Sequence, residues 1–265
     1  MAWAGILMFL MGLESRRQLT LESNSPAFVG NLNRLAKTHL ESAPHDHTLA
    51  YYLAPLEAAA FERLPVDVVG RLIRMKALDR WRLYGRFLVA VDGTGQLFFR
   101  ERHCDHCLTQ KGPNGQILYF HHVLEAKLVT ANGFAFSIAT EFIENPHPDA
   151  SKQDCEQAAF KRLAVKLKAN FPQLPIVILG DNLYVGKPVF DICKRNGWRF
   201  IFTFKRGGTP ALFAEYETLR EASPRNRVER RCGNVVEHFA WVNDLDYHGH
   251  CLCGFECREQ RPDGE

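Results

Sequence analysis

Two aspartates carry the first chemical signal in this chain. Asp92 follows the apolar run Phe87-Leu88-Val89-Ala90-Val91, and Asp181 follows Ile176-Val177-Ile178-Leu179-Gly180. Short continuous apolar runs rich in Val and Ile read as central strands buried on both faces. A carboxylate at the tip of such a strand sits at the sheet's edge, where open α/β sheets bind ligands. On neighbouring strands, roughly 5 Å apart, two such carboxylates could share divalent metal ions. Metal-assisted phosphoryl transfer needs that arrangement. The bland alternative is equally open on spacing alone: Asp-Gly and Asp-Asn often only start turns.

Cysteine and histidine supply a second signal. Cys104 and Cys107 have zinc-ligand spacing, flanked by His103 and His106, with His121 and His122 further on. Adjacent histidines on a strand point to opposite faces, so at most one of that pair could join a site. A second cysteine pair would have to come from Cys251, Cys253 and Cys257. Ordinary reduced thiols are the simpler reading of Cys104 and Cys107. Gly93-Thr94-Gly95 completes neither a dinucleotide fingerprint nor a phosphate-binding loop.

The elements that position these groups change along the chain. Residues 1–85 look helical, with amphipathic segments at 31–40 and 51–63. Pro65 is expected to open a longer helix with Arg71 and Arg74 on one side. The apolar stretch from Ile6 to Leu13 is too short to span a bilayer and reads as a buried helix. From Phe87 the pattern turns β-rich, with strands expected over 117–130 and 134–143 around the hairpin signal Asn132-Gly133. Ser151-x-x-Asp154 suggests a capping box for a helix whose stripe is Cys155, Ala159, Leu163 and Leu167. The Asp181 strand, a short helix around Pro188 and a strand over 200–204 follow. Residues 86–205 thus form an α/β core with a mixed sheet, and 206–265 begin a β-rich segment.

Composition is that of a globular protein: 265 residues, 46% hydrophobic, 24% charged, net charge +3. Bases cluster locally. Arg71, Arg74, Lys76 and Arg82 belong to one basic segment, and Lys205 and Arg206 to another. Clustered basic surface suits a polyanion, though one such segment alone is more often a solvated face. The eight cysteines show no framework spacing, and no signal peptide opens the chain, so reduced thiols and a cytoplasmic location are expected.

Several stretches together resemble a known family. VAVDGTG, LYFHHVLEAKLVTANGFAFSIATEFIENP, SKQDCE and LGDNLYVGKPVFDICKRNGWRFIFTFK are similar to bacterial insertion-sequence transposases of the DDE type. The resemblance implies a ribonuclease-H-like fold and metal-dependent DNA cleavage and strand transfer. Asp92 and Asp181 would be catalytic and would hold Mg²⁺ or Mn²⁺. The implied partners are insertion-sequence ends and target DNA, contacted on this reading by Arg71, Arg74, Lys76, Arg82, Lys205 and Arg206. A homodimer on DNA and a nucleoid location fit the same picture, with no membrane involved. The family's third acid is a Glu on a helix beyond a β-rich insertion. No Glu-bearing helix is expected after Asp181, and Glu256, Glu259 and Glu265 fall on a strand-like tail running into a turn. A truncated, impaired transposase is therefore the expectation, with a non-catalytic DNA-binding remnant as the alternative. A haloacid-dehalogenase-like phosphatase would need a nucleophilic Asp where Ala90 stands.

Overall fold

The computed structural model describes residues 2–261, apart from Glu14 and Ser23. It divides into two compact units, Met1–Phe61 and Glu62–Glu265.

The first unit is helical: α1 (Ala2–Leu10), α2 (Arg16–Glu22), α3 (Pro26–Ala36) and α4 (Asp46–Leu53). Its small core gathers Ala4, Leu19 and Leu49, with Met8, Leu13 and Phe28 against them. The expected buried helix at the start is buried along one stripe only. Trp3 and Ile6 remain 39% and 41% exposed, since helices this short bury one narrow face each. Ser25 caps α3 by accepting from the Phe28 N–H, with Pro26 in the first turn.

Helix α5 (Ala58–Arg74) carries Pro65 inside it rather than at its start. A proline there has no N–H for the carbonyl four residues earlier, that of Phe61. The division between the two units falls at that residue.

The second unit is mixed α/β. A six-stranded sheet contains β1 (Phe87–Phe99), β2 (Leu108–Lys111), β3 (Ile117–Val129), β4 (Ala135–Ile143), β5 (Ile176–Gly180) and β6 (Arg199–Phe202). Pairing runs β3-β1-β5-β6, and both β2 and β4 pair with β3. The hairpin contacts are antiparallel, while β1-β5 and β5-β6 are parallel. Helices α6 (Glu156–Asn170) and α7 (Lys187–Asn196) supply the crossovers. This arrangement is consistent with a ribonuclease-H-like fold.

Ala159, Leu163 and Leu167 of α6 are buried as the stripe requires, joined by Phe160 and Ala164. They pack with Phe87, Val89, Val91, Leu124, Ala126, Ile176 and Ile178. Burial of the two apolar runs differs: Ile176, Val177 and Ile178 of β5 are all buried, on both faces, whereas β1 is buried on one. Leu88, Ala90 and Leu179 alternate with the core residues and are half-buried, and Ile201 is 39% exposed. The expected two-sided burial thus holds over Ile176–Ile178 and is corrected for β1: composition gives the number of apolar side chains, not the number of layers covering them.

Three local expectations also change. Cys155, not Ser151, is the N-cap of α6, with no side-chain cap bond, and Asp154 is held by Arg162 at 2.6 Å. Beyond the broken stretch at Gly207-Gly208, Pro210 opens helix α8 (Pro210–Ala222), which carries Glu215, Glu217 and Glu221. The tail is a real three-stranded sheet, β7 (Arg227–Cys232), β8 (Val235–Tyr247) and β9 (His250–Gln260), paired antiparallel in that order. Leu212, Tyr216, Val242 and Leu245 form its core with α8. Glu256 and Glu259 lie in β9, while Glu265 lies outside the described residues.

Candidate active site

Asp92 and Asp181 stand at one rim of the large sheet. In the parallel pair, Ala90 is opposite Leu179, and each aspartate lies two residues further on. Both are therefore in register at the carboxyl end of adjacent strands. Asp92 is not at a strand tip, however. Strand β1 continues through Gly93, Thr94 and Gly95 to Phe99, paired with β3 and bulged between Gly95 and Leu97. What ends near Asp92 is its neighbour β5, at Gly180. Thr94 pairs with Val123 and Gly95 with His122, so cross-strand pairing overrides the local turn preference of Gly-Thr-Gly.

Both carboxylates are exposed. Asp92 Oδ1 accepts from the Gly93 N–H at 2.9 Å. Asp181 Oδ1 accepts from the Leu183 N–H at 2.9 Å and caps a 3-10 turn over residues 182–184. Asp181 is thus a turn starter as well as a rim carboxylate. Among the described residues, no Lys or Arg forms an ion pair with either.

A third carboxylate reaches this rim from α6. Glu156 opens that helix, and its carboxylate lies 2.5 Å from where a Cβ on Gly93 would stand. Gly93 is therefore the opening through which Glu156 approaches β1. The Tyr184 hydroxyl donates to Glu156 Oε2 at 3.1 Å, and His122 Nε2 stands 3.7 Å from Oε1. His122 Nε2 is buried without a hydrogen-bond partner. Burial raises the pKa of Tyr184 well above the usual tyrosine range, and the charges of Glu156, Asp181 and Asp92 add to the rise. All three carboxylates thus act on one hydroxyl. Successive residues of β1 point to opposite faces, so Asp92 and Glu156 approach the end of β5 from its two sides.

Sequence reasoning missed Glu156 because it looked only at acids after strands or beyond Asp181. The available signal was a Glu in the first turn of a helix whose stripe faces the Asp92 strand. The glutamates of α8 show no such link: Glu217 pairs with Arg206 at 2.7 Å and Glu215 is exposed.

The basic candidates separate. Lys205 adjoins the rim, its N–H donating to Asn182 Oδ1 at 2.9 Å, and Arg206 follows it. Arg74 and Arg82 line a groove with Pro172 and Pro175, at the end of the sheet where β5 begins. Arg71 and Lys76 are exposed near them in sequence, and Arg82 is occupied by Asp79 at 2.8 Å and by the ring of Phe87.

Cys104, Cys107 and His121 come together, with their ligand atoms all within 4.8 Å of one another. Cys251, Cys253 and Cys257 do not join them. They lie in β9, where Cys251 donates to Asp244 and Cys253 to Asn243.

No helix of the described residues is long and apolar enough to cross a membrane. No family model matches the chain, and no curated protein does. Among solved structures it is similar to the Mos1 transposase paired-end complex with left transposon end, at 16% identity and a TM-score of 0.27. The match covers 80% of this chain and 60% of that chain, so less than two thirds of the neighbour's length is represented.

Proposed function

We propose that this chain is a DNA transposase of the DDE type, with a ribonuclease-H-like core that cleaves and joins DNA strands with Mg²⁺ or Mn²⁺. The observation that carries the reading is the register of the rim: Asp92 and Asp181 leave adjacent parallel strands at the same level. The sequence motifs supply the substrate class, and the mixed sheet suits the fold they imply.

The donors are of the type a hard divalent cation takes, and their oxygens stand more than 4.8 Å apart as a set, so binding one ion would draw them together. Asp92, Asp181 and Glu156 offer carboxylate oxygens, two of them exposed and without a basic partner. When bound, such an ion supplies Lewis-acid stabilisation of an in-line displacement at phosphorus. The chain's own residues do the rest. Tyr184 orients Glu156 by its hydrogen bond, and the raised pKa keeps it a protonated donor at neutral pH. Lys205, exposed beside the Asp181 turn, is positioned for phosphate contact. With Glu156, three carboxylates stand around the end of β5 without any residue beyond Asp181, on two sides of the sheet.

The test is nicking of a supercoiled plasmid that carries the DNA flanking the coding sequence. Nicking is expected with Mg²⁺ or Mn²⁺, weakening as salt rises, and lost in Asp92→Ala and Glu156→Gln. Nicking that survives Asp92→Ala overturns the proposal. Salt-sensitive binding without nicking would favour the non-catalytic DNA-binding reading.

A further inference from the structure

Away from the carboxylate rim, the loop between β1 and β2 folds two sulfurs onto one imidazole nitrogen. Cys104 Sγ and Cys107 Sγ are 3.8 Å apart, and His121 Nε2 lies 3.4 Å from the first and 3.5 Å from the second. Zinc bonds of about 2.3 Å to sulfur and 2.0–2.1 Å to nitrogen, set at tetrahedral angles, require about 3.8 Å between sulfurs and about 3.5 Å between sulfur and nitrogen. The three separations match that triangle. Plain hydrogen bonding accounts for it less well. Hydrogen bonding would need one S–H on the nitrogen and the other on its neighbouring sulfur, with no reason for both sulfurs to stand equally near Nε2, as they do at 3.4 and 3.5 Å. Nor is it a disulfide, since both cysteines are free.

The surroundings hold the triangle in place. Cys107 is fully buried and Cys104 partly so. Asn145, itself 4% exposed, donates from Nδ2 to the Cys107 carbonyl at 3.0 Å. Its backbone N–H donates to the His106 carbonyl at 3.1 Å, and its own carbonyl lies 2.9 Å from His106 Nδ1. One side-chain amide and one backbone thus tie the loop to the end of β4. His121 projects from β3, so the three donors come from a loop and a paired strand. His103 is stacked on Phe99 at 4.6 Å with its ring 6.4 Å from that of His121, outside the triangle itself.

We propose that Cys104, Cys107 and His121 bind one Zn²⁺, with water or His103 at the fourth vertex, and that this ion locks the loop between β1 and β2 onto β3. The two thiols lose their protons on binding, and no electron transfer is involved. The site is structural: its ligands are soft and partly sequestered, and it is independent of the DNA chemistry proposed for the rim.

The test uses the full-length chain expressed with zinc in the medium. Metal analysis after dialysis is expected to find about one zinc per chain, released on blocking the thiols with a mercurial. Replacement by Co²⁺ is expected to give thiolate-to-cobalt charge-transfer absorption. Cys107→Ser and His121→Ala are expected to lose the metal, while Cys253→Ser keeps it. Should those variants misfold, the wild-type chain decides alone: a zinc-free protein whose Co²⁺ titration shows no charge-transfer band overturns the proposal. Full zinc retention by a folded Cys107→Ser variant overturns it equally.

Discussion

The carboxylate rim and the thiol-imidazole triangle are two donor sets built on the same sheet, the first around β1 and β5 and the second around the β1–β2 loop and β3, and they differ in the properties that matter for a metal. The rim offers oxygens, and Asp92 and Asp181 lie open to water with Asp92 in the middle of β1. The triangle offers two sulfurs and one nitrogen, with Cys107 sealed and the loop stitched down by Asn145. Hard open sites suit an exchangeable ion that meets a substrate, and soft closed sites suit an ion that stays. One sheet can therefore support turnover chemistry and a fixed staple without either set competing for the other's metal.

The sharpest way to break this contrast is Asp181→Asn. The amide still accepts the Leu183 N–H, so the cap survives while the charge goes. Nicking is expected to fall by at least about 100-fold, more than the ~10–100-fold typical of outer-shell partners. Zinc content should stay unchanged; a parallel loss of zinc would show the two sets to be one. Gly93→Ala comes next. Its backbone lies in a strand, but the new methyl lands 2.5 Å from the Glu156 carboxylate. A displaced carboxylate is expected to cost on the order of 10–100-fold in rate, since small misplacements cost that much. Normal activity with an unchanged fold would remove Glu156 from the site.

The smallest effect concerns Cys193, a buried thiol outside both sets. Burial pushes it up to about 12. The folded state therefore holds its proton where the unfolded chain, titrating near the usual ~8.5, has lost it. Stability falls as pH rises from there toward about 12. In alkylation at neutral pH, Cys193 is expected to stay unmodified with or without chelator. Cys104 and Cys107 should react only after zinc is removed. Equal reactivity of all three before and after chelation would erase the distinction.

Much of this was readable in the residues. The Val- and Ile-rich runs before both aspartates, the Asn132-Gly133 turn and the α6 stripe all use local periodicity, and the strands and helix appear where that periodicity puts them. What stayed hidden depends on partners distant in sequence. Gly93-Thr94-Gly95 looks like a turn until β3 pairs with it. Glu156 looks like an ordinary first-turn acid until Gly93 opens the space for it. No Glu-bearing helix is expected after Asp181 because α8 shows its apolar side only once Leu212 and Tyr216 pack with Val242 and Leu245, and the second sheet is read poorly because every residue of β7 is exposed.

His121 and His122 are adjacent letters, yet one belongs to the triangle with Cys104 and Cys107 and the other stands beside Glu156. The pleat of a single strand sends them to opposite sides of the sheet. Replacing the pair together, as block mutagenesis would, strikes the proposed staple and the proposed reaction centre in one stroke and leaves the phenotype uninterpretable. Separate substitutions at these two positions turn the same dipeptide into two independent reporters, one read by metal content and the other by turnover.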